Sequence, residues 1–284
     1  MEEFLIPESQ LYSFLHEEDN FVVHFLEGQK LIVDMATIHQ KHGYDLVYFR
    51  DCILSAQPII SFLKAGESVG LYIDNEEPYF RFKLETGANG LTRFLLLPKS
   101  LDEIPKTLLG KGRLTKIFPG THLKPYTSII EVSGMSVLEV VNHVLSHSYQ
   151  VDSSVYLATE SDQSVMITRL PPINVNKNEL KERPSINAYY LQKKKFLTDL
   201  FKEGLTDNDE ILKAFESEGF TMINKKKVKF FCPCSKEKMI LGIMSLNNQN
   251  PDTLFDKNQS EIETECDYCH TKYIIQRSDL RILQ

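Results

Sequence analysis

Apolar residues in the first two thirds of the chain fall into short runs rather than one long repeat. The runs at 21–26, 69–73, 79–84 and 91–97 are β-branched or aromatic, and turn clusters such as Asp74-Asn75-Glu76-Glu77 and Thr86-Gly87-Ala88-Asn89-Gly90 separate them. In 79–84 the alternation is plain: Phe80, Phe82 and Leu84 point one way, Arg81 and Lys83 the other. Further strands are expected at 114–118, 128–132, 155–158 and 165–168. Their consecutive order predicts antiparallel hairpins rather than βαβ units.

Two helices are predicted among these strands. Apolar positions at helical spacing run through 44–64, with Pro58 expected to kink the helix. The second, at 137–149, carries Val137, Val140, Val141, Val144 and Leu145 on one face, beside His143 and His147. A pair of histidines four apart has metal-ligand spacing, but no glutamate lies between them in metalloprotease register. A solvated or core-edge pair is the reading preferred. Cys52, beside Ile53 and Leu54, reads as a small core residue.

After Leu170-Pro171-Pro172 the pattern changes. The chain is polar and charged up to Pro184, then predicts a helix over 189–203 and another over 207–218. Thr206 or Asp207 serves as N-cap of the second, and Gly219 stops it. Ile211, Leu212 and Phe215 make only a narrow apolar stripe. Short helices of this kind are marginal alone and need a partner surface. The expected organisation is therefore an α+β, mostly antiparallel body at 1–175, a metastable helical linker at 176–226, and a small C-terminal metal-binding module at 227–284.

Composition adds bounds. The chain has 284 residues, 42% of them hydrophobic and 25% charged, the proportions of an ordinary globular protein. No apolar run approaches a membrane span. The Met-Glu-Glu-Phe start is acidic where a secretory signal is basic, which predicts a cytoplasmic location with reduced thiols. A formal net charge of -7 argues against a general nucleic-acid binder.

Cysteine usage changes the picture most. Cys52 stands alone, whereas the other four fall at Cys232, Cys234, Cys266 and Cys269. On an extended segment residues i and i+2 share a face, so Cys232 and Cys234 present two sulfurs together. Cys266 and Cys269 have zinc-knuckle spacing, and four thiolates complete a closed tetrahedral Zn(2+) site with no open position for hydrolytic water. Buried packing thiols fit less well, because Pro233, Ser235 and Asp267 make the surroundings polar. The run Cys266-Asp-Tyr-Cys269-His270 also matches a c-type haem attachment pattern, which would leave Cys232 and Cys234 unexplained. His270 is a competing ligand. Zinc-bound thiolates are also oxidant-sensitive, and the lysines at 225–227, 229, 236 and 238 are expected either to offset the site's negative charge or to form a solvated face.

These cysteines resemble the signature of the redox-regulated 33-kilodalton chaperonin family, heat-shock protein 33. It is carried here by Cys232-Pro-Cys234-Ser-Lys-Glu and by Glu261-Ile-Glu-Thr-Glu-Cys266-Asp-Tyr-Cys269, with Lys272-Tyr273 after it. The resemblance extends to Ala65-Gly66-Glu67-Ser68, Gly110-Lys-Gly112-Arg-Leu114 and the helix after Pro125-Tyr126. Departures include Ser148-Tyr149-Gln150 where the family has Ser-Glu-Gln, His270 where it has a small residue, a more apolar 91–97, and a poor match over the first twenty residues. The resemblance implies a non-enzymatic, ATP-independent holdase for unfolding client proteins. Its zinc would be released when Cys232 joins Cys234 and Cys266 joins Cys269, its linker would then unfold, and it would act as a homodimer. The absence of a Walker-type glycine loop agrees with ATP independence. A different reading, a nucleic-acid-binding zinc ribbon on an α+β body, rests on the lysine runs at 193–195 and 225–227.

Overall fold

A computed structural model describes residues 6–120, 123–171, 183–246, 255 and 259–279, so most of the polar stretch before Pro184 lies outside the described residues. They divide into two compact units, Met1–Phe230 and Phe231–Gln284.

The first unit is α+β, as the alternation predicts. One antiparallel sheet has the order β10-β1-β2-β9-β8, from β1 (Gln10–His16), β2 (Phe21–Glu27), β8 (Ser153–Leu157), β9 (Gln163–Arg169) and β10 (Thr221–Lys227). A second sheet has the order β11-β5-β4-β3-β6-β7, from β3 (Ser68–Asn75), β4 (Phe80–Gly87), β5 (Leu91–Leu97), β6 (Leu108–Ile117), β7 (Tyr126–Met135) and the short β11 (Lys229–Phe230). β11 runs parallel to β5, while the other pairings of this sheet are antiparallel. Phe80, Phe82 and Leu84 of β4 are fully buried and Arg81 and Lys83 only half so.

Three elements depart from the expectation. A strand lies where none is predicted: β1 pairs with β2 on one side and β10 on the other, and Leu11, Tyr12 and Phe14 are buried. An unforeseen helix, α1 (Gln29–Ile38), follows β2. The expected kinked helix is α2 (Gly43–Ala56) followed by a tighter 3-10 turn, Gln57–Phe62, with Pro58 in its first positions. Proline has no N–H to donate, so the α-helical ladder ends there. α3 (Val137–His147) is closed by a capping box: Ser136 Oγ accepts from the Glu139 N–H at 3.3 Å, and Glu139 Oε2 accepts from the Ser136 N–H at 2.7 Å.

The five-stranded sheet is buried on both faces, which is why β2 reads Phe-Val-Val-His-Phe-Leu-Glu with no polar alternation. One face shares the main core with α1–α3 and the six-stranded sheet, and Cys52 lies fully buried in it. The other face carries a separate cluster built with α4 (Ile186–Glu203) and α5 (Asn208–Ser217). Ser185 caps α4, Gly204 ends it at φ +59°, and Asp207 Oδ1 caps α5 by accepting from the Asp209 and Glu210 N–H groups at 2.8 and 3.1 Å. Ile186, Tyr189, Leu197 and Leu200 of α4 and Ile211 and Phe215 of α5 form the buried stripe.

Past α5 the chain is stitched to both sheets. β10 closes the edge of β1, Val228 enters the main core, and its N–H donates to Ser9 O at 2.8 Å. The Lys229 N–H then donates to Gly90 O at 2.9 Å. Gly90 has φ +82°, and a Cβ there would stand 1.8 Å from Lys227 O, so only glycine lets the two segments pass.

The second unit contains α6 (Lys236–Leu246) and a hairpin of β12 (Glu261–Glu265) and β13 (Lys272–Gln276). Among its described residues the apolar cluster has three buried members, Ile240, Phe255 and Ile275. That is too small a core to hold such a module unaided.

Candidate metal centre

Two local structures of the second unit bring the four cysteines together. Cys232-Pro233-Cys234 is non-helical chain immediately before α6, and the helix start is fixed by Ser235, whose Oγ accepts from the Lys238 N–H at 3.3 Å. Cys266 and Cys269 lie on the turn between β12 and β13. There the Cys269 and His270 N–H groups both donate to Cys266 O, at 3.3 and 2.7 Å, and the Cys266 N–H donates to Thr271 O at 3.0 Å. The turn passes through His270 at φ +57°, the left-handed position usually given to glycine or asparagine. His270 Nδ1 lies 2.5 Å from Glu265 Oε1, which turns the ring toward a carboxylate. This side chain is not among the converging ligand atoms.

The four sulfurs lie within 4.8 Å of one another. Cys232 and Cys266 are 3.7 Å apart at Sγ, and Cys234 and Cys269 are 3.3 Å apart. A tetrahedral ion with sulfur ligands at about 2.3 Å requires sulfur–sulfur edges of about 3.8 Å. The spacing thus fits four ligands around one ion, and it is far longer than the roughly 2.05 Å of a disulfide. The donor set is soft thiolate throughout, the chemistry that selects zinc-like metals over hard cations.

The thiols are not electrostatically equivalent. Burial pushes Cys232 up to about 12 and raises Cys266. Burial opposes ionisation of Cys269 too, but hydrogen bonds from Thr271 outweigh it and bring that thiol to about 7. Thr271 Oγ1 lies 3.2 Å from Cys269 Sγ, and Tyr273 Oη lies 3.0 Å from Cys234 Sγ. The contact with Cys234 pushes the Tyr273 hydroxyl up to about 12. These two hydroxyls are the supporting residues that sequence reading overlooked. Their signal was positional: residues 271 and 273 follow the knuckle two apart, at the entry to β13.

The other candidates are placed elsewhere. The His143 and His147 rings lie against each other with centroids 3.8 Å apart and planes tilted by 30°, and His147 Nδ1 turns to His143 O at 3.1 Å. Among the described residues the four cysteines are the one cluster with metal-ligand convergence. The lysines at 225, 226 and 229 take partners within the first unit. Lys225 bonds Asn208 at 2.8 Å, Lys226 bonds Ile60 O and Leu63 O at 2.9 and 3.1 Å, and Lys229 stands 3.9 Å from Glu8. Lys238 Nζ, in the second unit, donates to Pro233 O at 2.6 Å between the first two ligands. No helix of the described residues is long and apolar enough to cross a membrane.

Known proteins are similar to this chain in sequence and in fold. The 33 kDa chaperonin of Aquifex aeolicus is 24% identical over 280 residues, 90% of this chain and 83% of that protein. That of Pectobacterium atrosepticum is 21% identical over 185 residues, 63% of this chain and 61% of that protein. The crystal structure of a 33 kDa chaperonin (heat shock protein 33 homolog) from Thermotoga maritima has a TM-score of 0.70 at 16% identity and covers 98% of both chains, a likeness of fold. The profile of the Hsp33 protein family matches residues 9–276, and the chain belongs to that family.

Proposed function

We propose that the protein is a cytoplasmic, ATP-independent holdase that binds unfolding client proteins and is switched on by oxidation of Cys232, Cys234, Cys266 and Cys269. One observation carries this reading: four thiols converge in a module whose apolar cluster has three buried members among the described residues. Zinc, when bound by these thiolates, supplies on the order of 10–16 kcal/mol of apparent folding free energy.

The switch follows from the ligands themselves. Joining Cys232 to Cys234 and Cys266 to Cys269 removes two electrons per disulfide. Each disulfide takes one hydrogen peroxide, which accepts two electrons and two protons and leaves as two waters, so the two disulfides consume two peroxides and zinc departs as the free ion. The sulfurs then no longer serve as thiolate ligands, and the module loses the energy that folds it. Cys232 follows Phe230 of β11 by two residues, so loss of the module's fold reaches the end of the linker through the covalent chain. Once β10, α4 and α5 detach, the aromatic face around Tyr12, Phe14, Phe21 and Phe25 is open to unfolding polypeptide, and the oxidised form acts as a homodimer.

The test uses reduced, zinc-loaded protein treated with peroxide or hypochlorite. Zinc release, free-thiol count and suppression of client aggregation are followed together. The expected result is loss of four thiols and of zinc in step with gain of holding activity. Zinc loss without that gain refutes the proposal.

A further inference from the structure

The strand that completes the five-stranded sheet is held differently from its neighbours. β10 pairs with β1 from Gln10↔Lys227 to Leu15↔Thr221, with a shift between Ser13 and Phe14. Yet all its side chains are exposed except that of Lys226. Lys226 reaches back to the Ile60 and Leu63 carbonyls rather than to the aromatic face. β10 therefore stays in place through main-chain pairing and its three lysines, which reach Asn208, the Ile60 and Leu63 carbonyls, and Glu8, rather than through apolar burial.

The row it lies against calls for other side chains. Residues opposite one another in a sheet share a face. Lys225 stands opposite Tyr12 and Lys227 opposite Gln10, on the face that carries Tyr12, Phe14, Phe25 and Phe21. The Lys225 ammonium is 5.9 Å from the Tyr12 ring centroid and bonds Asn208 instead of burying its stem. β1 itself is almost wholly buried and aromatic. On this face β10 offers one apolar residue, Met222 opposite Phe14, and a strand with apolar residues in place of Lys225 and Lys227 would extend that contact along the row.

We infer that the edge of β1 is a docking site for an extended, apolar-alternating segment of an unfolding polypeptide, which adds as a strand in the place β10 occupies. This rests on the holdase reading, in which the linker leaves, and it specifies how the client is gripped. Main-chain bonds to a sheet edge read no sequence, while the neighbouring rings reward any apolar side chain. Such a site suits clients that share only exposed apolar strands. β10, seven residues of mostly polar chain, occupies the edge in the resting state.

The experiment uses the full-length oxidised protein and a fluorescent peptide of about seven alternating valine and threonine residues flanked by lysines, matched in length to β10. Two further peptides carry backbone N-methyl groups on alternate residues, in opposite registers. Binding is expected to fall roughly ten- to hundred-fold for one methylated register and to stay near the parent for the other, since two or three main-chain bonds are lost. The parent peptide is also expected to slow amide exchange in residues 10–16. Equal affinity for all three peptides, or failure of the parent to bind while the oxidised protein still holds unfolded luciferase, overturns the inference alone. Failure to hold luciferase at all overturns the holdase reading beneath it.

Discussion

Phe215 of α5 stacks on Phe14 of β1 with ring centroids 3.9 Å apart and planes within 4°. It also meets Phe196 of α4 edge-on at 5.2 Å and Phe220 at 5.4 Å. One ring thus ties both linker helices to the sheet. Phe215→Ala is expected to cost about 3–5 kcal/mol, as large core truncations do. The cost should fall on the linker's attachment. Limited proteolysis of reduced, zinc-loaded protein should then cut within 183–220, with holding activity gained before any oxidant is added. An unchanged digestion pattern would show that α5 is held by other contacts.

Tyr189 gives the opposite sign at the same surface. Its ring stacks on Phe21 at 4.1 Å, but its hydroxyl is buried with no hydrogen-bond partner among the described residues. A buried unsatisfied polar group costs roughly 1–3 kcal/mol. Tyr189→Phe keeps the ring and removes that cost, so the linker should dock more tightly and the oxidised protein should reach its active form more slowly. Stopped-flow fluorescence of an apolar-surface dye after oxidant addition measures this. Faster activation would contradict the assignment.

The two units should respond separately to loss of the metal. Cys266→Ser removes the most buried of the four ligands. Metal content should fall to near zero, and amide protection in residues 231–284 should collapse, while β3–β7 keep theirs. A chelator acting on the unaltered protein should do the same. If the tail stays protected without metal, its three-residue apolar cluster is sufficient after all.

Stability should depend on pH through Glu27. Burial, helped by Asp162 and opposed by the Gln29 N–H, raises its carboxyl from the ordinary 4.5 to about 7. The folded state holds that proton where the unfolded chain has released it. This contribution is therefore full below pH 4.5 and is lost as pH rises to about 7, on the order of 3 kcal/mol in all. Burial and Lys226 lower His24 to about 4, so its contribution runs the other way, falling as pH drops from 6.5 toward 4. The two slopes oppose each other between pH 4.5 and 6.5, and a wild-type profile alone would hide both. Urea titrations of Glu27→Gln against wild type should show the variant gaining relative stability from pH 5 to pH 8. A constant difference would mean the carboxyl is ionised in the fold.

Much of this protein is written in local pattern. Phe80, Phe82 and Leu84 alternate with charges, and they are buried while the charges are not. Asp207 and Gly219 bracket α5 because capping chemistry acts within a few residues. The four cysteines were legible for the same reason: ligand spacing on a strand and a knuckle turn is local geometry, and the sulfurs converge as that spacing predicts.

What the chain order does not carry is long-range pairing. β1 is a short apolar run near the N-terminus, and it joins residues 221–227 only because both find the same sheet edge. Thr221–Lys227 has neither alternation nor β-branched density, so its strand is imposed by a partner more than two hundred residues away. The lysines beside it take carbonyl and amide partners in the first unit for the same reason. Sequence determined most of the elements and the convergence of the four cysteines, because those rest on interactions within a few residues. Only the tertiary structure decided which face of the five-stranded sheet the linker covers and which strand edge β10 occupies, because burial on both faces erases the periodicity that would have told them apart.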